Sequence, residues 1–133
     1  MKESLSQEAA RPGLSTGHTR VLVVDDDPAI GDVLQEGLEA SIPGCTVDLA
    51  ANGEEAMERV RRAMPDLIIL DVRMPGKDGL QVLEEIRELS DVPVIMLTVS
   101  ETSRERAMQL GANEFLLKPF DVRDLLASIR RFL

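Results

Sequence analysis

The chain has no tryptophan, no tyrosine and only three phenylalanines, so it lacks the aromatic platform on which single-stranded nucleic acid stacks. Basic side chains are also scarce. Fifteen Lys and Arg stand against 24 Asp and Glu, for a formal net charge of −9. A phosphate backbone needs a basic footprint, and direct nucleic-acid binding by this segment is not expected. Cys45 is the one cysteine. An internal disulfide is therefore excluded, and a reducing cytoplasm is the natural compartment. Cys45 itself reads as a loop or strand-edge residue. Nothing approaches the run of about 18 apolar residues that a membrane span requires, and the N-terminus has no apolar signal core. The single histidine, His18, stands in a polar N-terminal stretch and reads as a solvated side chain.

What is present suits one domain. The 133 residues are 44% apolar and 29% charged, ordinary globular proportions. Residues 1–19 mix Ser, Thr, Gly, Pro and charge without an apolar period, and read as a flexible extension ahead of a domain over 20–133. In that domain, the runs 21–24, 67–70 and 94–97 are short, continuous and rich in branched residues. They suit strands buried on both faces of a parallel sheet. The segments 46–49 and 114–117 are weaker strand candidates. Between the strands, apolar residues recur three and four apart: Ile30, Val33, Leu34 and Leu38; Ala56, Met57, Val60 and Met64; Val82, Leu83, Ile86 and Leu89; Val122, Leu125, Leu126 and Ile129. A shorter, more polar helix is expected over 102–110, with Ala107, Met108 and Leu110 as its apolar side. Asp27-Pro28 and Asn52-Gly53 open helices. The alternation predicts an α/β fold: a doubly wound, five-stranded parallel sheet, (βα)5 and flavodoxin-like, in strand order 2-1-3-4-5.

Such folds bind ligands beyond the carboxyl ends of their strands. There, the first strand delivers Asp25, Asp26 and Asp27, the third Asp71, the fourth Thr98 and the fifth Lys118. Each has a plainer reading when taken singly. Asp27 can cap a helix, Asp71 can be a loop acid, Thr98 can cap the next segment, and Lys118-Pro119 can be a surface turn. Their convergence on one edge has a chemical meaning. Clustered carboxylates repel unless a cation joins them, and an oxygen-only donor set favours Mg²⁺, with Mn²⁺ as a substitute. A carboxylate beside such an ion can attack phosphorus. An ammonium at Lys118 and a hydroxyl at Thr98 complete a phosphoryl cradle.

The stretches Val-Val-Asp25-Asp26-Asp27-Pro, Leu-Asp71-Val-Arg-Met-Pro-Gly-Lys-Asp-Gly, Met-Leu-Thr98 and Leu-Lys118-Pro119-Phe120 resemble the receiver domain of two-component response regulators. The resemblance runs from about residue 20 to the end. It implies that Asp71 is the phosphoacceptor, supplied by a histidine kinase or a histidine phosphotransfer protein. It implies a Mg²⁺ site formed by the Asp26 and Asp71 side chains and the Arg73 backbone carbonyl, with Asp25 acting largely through water. Thr98 and Phe115 take the family's switch positions, Phe115 as the rotating aromatic, and Lys118 contacts the phosphoryl group. Chemistry would be confined to the domain's own phosphorylation and dephosphorylation. The expected output is a changed surface on the fourth helix, fifth strand and fifth helix, read by a downstream effector domain or protein or by phosphorylation-dependent dimerisation.

Val99 beside Thr98, and Arg73 and Ser100, each two residues past a site residue, lie at positions that vary within that family, and Phe115 stands where a Tyr is frequent, keeping the bulk without the hydroxyl. Two other readings fit less well. A haloacid dehalogenase phosphatase wants an acid where Arg73 stands. A flavodoxin-type cofactor module wants a phosphate-binding loop where the three aspartates stand.

Overall fold

The computed structural model describes residues 18–133; most of the expected extension over 1–19 lies outside them. Five strands, β1 (Thr19–Val24), β2 (Cys45–Ala50), β3 (Leu67–Asp71), β4 (Val94–Thr98) and β5 (Glu114–Leu117), alternate with α1 (Pro28–Ser41), α2 (Gly53–Arg62), α3 (Gly79–Leu89), α4 (Arg104–Gln109) and α5 (Val122–Phe132). All four strand pairings are parallel, and the order is β2-β1-β3-β4-β5, as the alternation predicts. β1 begins at Thr19, one residue ahead of the expected boundary. Thr19 is buried and pairs with Cys45.

Side chains alternate across each central strand and divide the core in two. Leu22, Val24, Ile68, Leu70, Val94 and Met96 face one layer, with α2, α3 and Ala107 of α4. Val21, Val23, Leu67, Ile69, Ile95 and Leu97 face the other, under α1 and α5. Every residue of β3 and β4 is buried. The continuous apolar runs therefore have their physical reason: helices cover both sides.

Side-chain caps satisfy the first backbone N–H groups of four helices. Asp27 accepts from Ala29 and Asn52 from Glu55, at the two helix starts expected from sequence. Asp78 and Gln81 form a reciprocal capping box on α3, and Asp121 accepts from Arg123 on α5.

The apolar stripes differ from expectation at their ends. α2 stops at Arg62, and the extended Ala63 leads out of it, so Met64 is partly exposed rather than core. Val33 and Leu89 are also exposed, the first on the flank of α1 and the second at the last position of α3. The fourth helix starts two residues late, after a single 3₁₀ turn at Glu101–Ser103. Of its three expected apolar residues only Ala107 is buried, and Met108 is 44% exposed.

One glycine fixes the site's floor. A Cβ at Gly79 would stand 2.1 Å from the carbonyl oxygen of Asp71. Its N–H instead donates to the Val72 carbonyl at 2.8 Å. Only a residue without a side chain lets α3 start this close to the end of β3.

Candidate functional site

β1 ends one residue before Asp25, β3 ends at Asp71, β4 ends at Thr98, and Lys118 follows β5. The parallel register therefore sets these side chains along one edge. The Lys118 Nζ lies 2.8 Å from Asp25 Oδ2 and 3.3 Å from Asp71 Oδ2. Asp25 and Asp71 are buried, whereas Asp26 is exposed. The remaining oxygens are also held. Asp25 Oδ1 accepts the Asp27 N–H at 2.9 Å, and Asp71 Oδ1 accepts the Arg73 N–H at 3.3 Å.

The electrostatics follow from this crowding. Burial, and then the charge of Asp25, push the Asp71 pKa up to about 6, against the opposing pull of Lys118. Burial alone would pull the Lys118 ammonium down. Its hydrogen bond to Asp25 and the charges of Asp71 and Asp25 outweigh that, and the net shift is upward. Lys118 thus stays cationic, while Asp71 holds its proton to higher pH than an ordinary carboxylate and is mostly ionised at neutral pH.

Asp25, Asp26 and Asp71 can bring one carboxylate oxygen each within 4.8 Å of the others. These are hard oxygen donors with no soft ligand among them, which fits a divalent cation. Asp27 belongs elsewhere, for its side chain caps α1. Arg73 is exposed and lines an open cleft of about 550 Å³ together with Asp26, Met74, Asp78 and Ser103. The structure brings Asp25, Asp26 and Asp71 together, with Lys118 bonded to Asp25 and Asp71, and leaves Asp27 out.

Thr98 is fully buried. Its Oγ1 accepts the Ser100 N–H at 3.3 Å, and its carbonyl accepts the Lys118 N–H at 2.7 Å. The second bond ties the hydroxyl and the ammonium to one piece of backbone. Phe115 is 4% exposed and registers beside Met96 of β4. Val99, the residue after Thr98, is 65% exposed.

Two residues, one at the site and one beside Phe115, escaped sequence reasoning. Gly79 lay within a quoted motif, but its close approach to Asp71 is a backbone distance that no local pattern encodes. Arg104, whose guanidinium carbon stands 4.9 Å from the Phe115 ring centroid, looked like one charge among many on a polar helix.

Residues 21–130 match the response regulator receiver domain. Response regulator MprA of Mycobacterium leprae is 44% identical over 117 residues, covering 86% of this chain and 50% of that protein. Transcriptional regulatory protein BaeR of Escherichia coli O6:H1 is 36% identical over 116 residues, covering 86% and 48%. The chain spans about half the length of these curated relatives. Among solved structures, response regulator TrrA of Thermotoga maritima, in complex with Mg(2+)-BeF, superposes with a TM-score of 0.79 at 38% identity, covering 86% of this chain and 99% of that one. The CheY-like receiver domain protein of Methanospirillum hungatei gives 0.81 at 31% identity, covering 86% and 92%.

Proposed function

The chain belongs to the response regulator receiver domain family of two-component systems, and from that premise we propose that Asp71 accepts a phosphoryl group and that Thr98 and Phe115 report it. The observation that carries this reading is the Asp71 carboxylate itself. It is buried at the end of β3, bonded to Lys118, and clustered with Asp25 and Asp26.

The donor in this reading is a phosphohistidine on a histidine kinase or phosphotransfer protein. An Asp71 oxygen attacks phosphorus, the P–N bond breaks, and its electron pair returns to the donor imidazole. Lys118, already 3.3 Å from Asp71, holds its positive charge where the phosphoryl oxygens arrive. The Asp26 and Asp71 side chains, with Asp25 and the Arg73 carbonyl, would hold Mg²⁺ or Mn²⁺, whose charge offsets that of the incoming phosphoryl group. Gly79 keeps the backbone of Asp71 against α3 while this happens. The Thr98 oxygen can keep accepting from Ser100, leaving its O–H proton to donate to the phosphoryl group.

Such a group adds nearly two negative charges. A swing from about 1:99 to 99:1 between two states needs roughly 5.5 kcal/mol of preference. Two or three charge-assisted hydrogen bonds at roughly 1.5–3 kcal/mol each reach that range. The altered surface of α4, β5 and α5 would then be read by an effector domain or protein in the cytoplasm.

Intact-mass spectrometry tests the chemistry. With Mg²⁺ and acetyl phosphate, one phosphoryl group should be added, and Asp71→Asn should abolish the addition. Addition that survives EDTA, or that maps to another residue, would overturn the assignment.

A further inference from the structure

α4 is held very differently at its two ends. At its C-terminal end, Arg87 of α3 donates to the Gly111 carbonyl from Nε at 3.1 Å and from a terminal nitrogen at 2.9 Å. The same guanidinium reaches Asn113 Oδ1 at 3.0 Å, and that oxygen accepts the Val94 N–H at 2.9 Å. This end is therefore pinned to both α3 and β4. At the other end, Ser103 makes no side-chain cap. What holds the N-terminal end is Arg104, which lies over the Phe115 ring and pairs with Glu101 on the preceding 3₁₀ turn. A guanidinium over a ring face is attracted by the ring's electron density, and its planar shape stacks where an ammonium would not.

The turn leads back to Thr98 without a break. The Ser100 N–H donates to Thr98 Oγ1 at 3.3 Å, and Ser100 Oγ accepts the Thr102 N–H at 3.3 Å and lies 2.6 Å from Thr102 Oγ1. Glu101 sits between these two residues and orients Arg104.

We propose that Arg104 is the positioning residue for Phe115. Its guanidinium, aimed by Glu101, holds the ring in its buried place, and the 98–104 segment carries a shift at Thr98 to that contact. Arg104 touches neither Asp71 nor the carboxylate cluster, so it acts through the ring alone. With the other end of α4 pinned by Arg87, a change at Thr98 is relieved by tilting the N-terminal end, and the Arg104–Phe115 stack is what that tilt opens or closes. The transmission half of this proposal rests on the switch reading of Thr98 and Phe115; the holding half does not.

Nuclear magnetic resonance on the intact chain separates the halves. Stacking places the Arg104 δ-CH₂ protons in the ring current, so they should resonate upfield and return to ordinary positions in Phe115→Leu. Arg104→Met keeps the length and loses the charge. It should lower the ratio of buried to exposed ring about two- to fivefold, the range a partly exposed cation–π contact supports. Arg104→Lys should recover part of that loss, and Glu101→Gln should fall between Arg104→Met and the wild type. Ring signals of Phe115 that are identical in Arg104→Met and the wild type would overturn the holding role. With Mg²⁺ and beryllofluoride, the wild-type Arg104 and Phe115 signals should shift together. Movement of Phe115 with Arg104 unmoved would overturn the transmission. Silence at Thr98, Phe115 and Arg104 alike would also overturn it, and the proposed phosphoryl switch with it, while the ring-current result still decides the holding role.

Discussion

The half of the sheet that holds Asp71 and the half that holds Phe115 are built to different tolerances. β3 and β4 are buried at every position, and Asp71 is fixed by Lys118, the Arg73 N–H and the backbone seat of Gly79. β5, at the sheet edge, buries only Phe115 among its four residues, and α4 buries only Ala107. Chemistry at a carboxylate needs atoms held within fractions of an ångström. A two-state surface needs the opposite, an element with few buried contacts and little local stability to lose. On the proposed function, the fold supplies both by setting the acceptor on a central strand and the readout on an edge.

The sharpest way to break this contrast is to loosen the rigid half. Gly79→Ala forces a Cβ into the Asp71 carbonyl, and backbone on both sides leaves no side chain to yield. A loss of about 3 kcal/mol in unfolding free energy is expected, at the upper end of ordinary overpacking, and chemical denaturation measures it. The phosphorylation rate at Asp71 should fall in the fraction that remains folded. A cost below about 0.5 kcal/mol would mean that the seat is soft.

Next in size is the electrostatic cost of the pocket. The Asp71 pKa of about 6 lies above the ordinary carboxylate value of about 3.9. Between about pH 4 and pH 6 the native state retains a proton that the unfolded chain has released, so stability falls as pH rises through that window. Asp71→Asn cannot ionise and escapes the loss. In metal-free buffer at pH 7 it should be more stable than wild type by roughly 1–2 kcal/mol, after allowance for solvent screening at the open cleft. The two proteins should converge near pH 4. Added Mg²⁺ should narrow the gap from the other side, by about 1.4 kcal/mol at ten times its dissociation constant for the wild type. Thermal melts across pH, with and without Mg²⁺, decide this. A metal-free Asp71→Asn that is less stable at pH 7 would show that the pocket is not strained by like charge.

The same contrast explains which parts of the molecule could be read from sequence. The rigid half announces itself. Buried parallel strands need uninterrupted apolar runs, and a ligand edge needs its polar residues directly after them, so the strands and the candidate set Asp25, Asp26, Asp71, Thr98 and Lys118 are legible in local pattern. The strand order follows from the doubly wound arrangement usual for five such strands. The loose half announces little. Glu101–Ser103 turns as a 3₁₀ segment and α4 begins late because few tertiary contacts reward one choice over the other. The stack of Arg104 on Phe115 joins residues from different elements by a cation–π contact that leaves no period in the sequence. Gly79 is a third case, where the motif was visible but its reason, a 2.1 Å approach, is tertiary.

The smallest effect tests the contrast where it is most exposed to error. Met108 lies on α4, counted among that helix's apolar residues, yet it is 44% exposed. If α4 is anchored mainly by Arg87 at one end and Arg104 at the other, the Met108 side chain holds nothing in place. Met108→Gln keeps the length, replaces a thioether by an amide that water can solvate, and costs little in helix propensity. Its effect on unfolding free energy should stay within about 0.5 kcal/mol. Ile95→Ala on β4, fully buried, should cost about 2–5 kcal/mol in the same assay. Hydrogen exchange gives the dynamic counterpart. Amides of α4 should exchange through local opening well below the global unfolding free energy, and those of β3 only through global unfolding. If Met108→Gln instead costs 1.5 kcal/mol or more and α4 exchanges as slowly as β3, then α4 is core. A switch that works by loosening it would then need a larger input than two or three hydrogen bonds can supply.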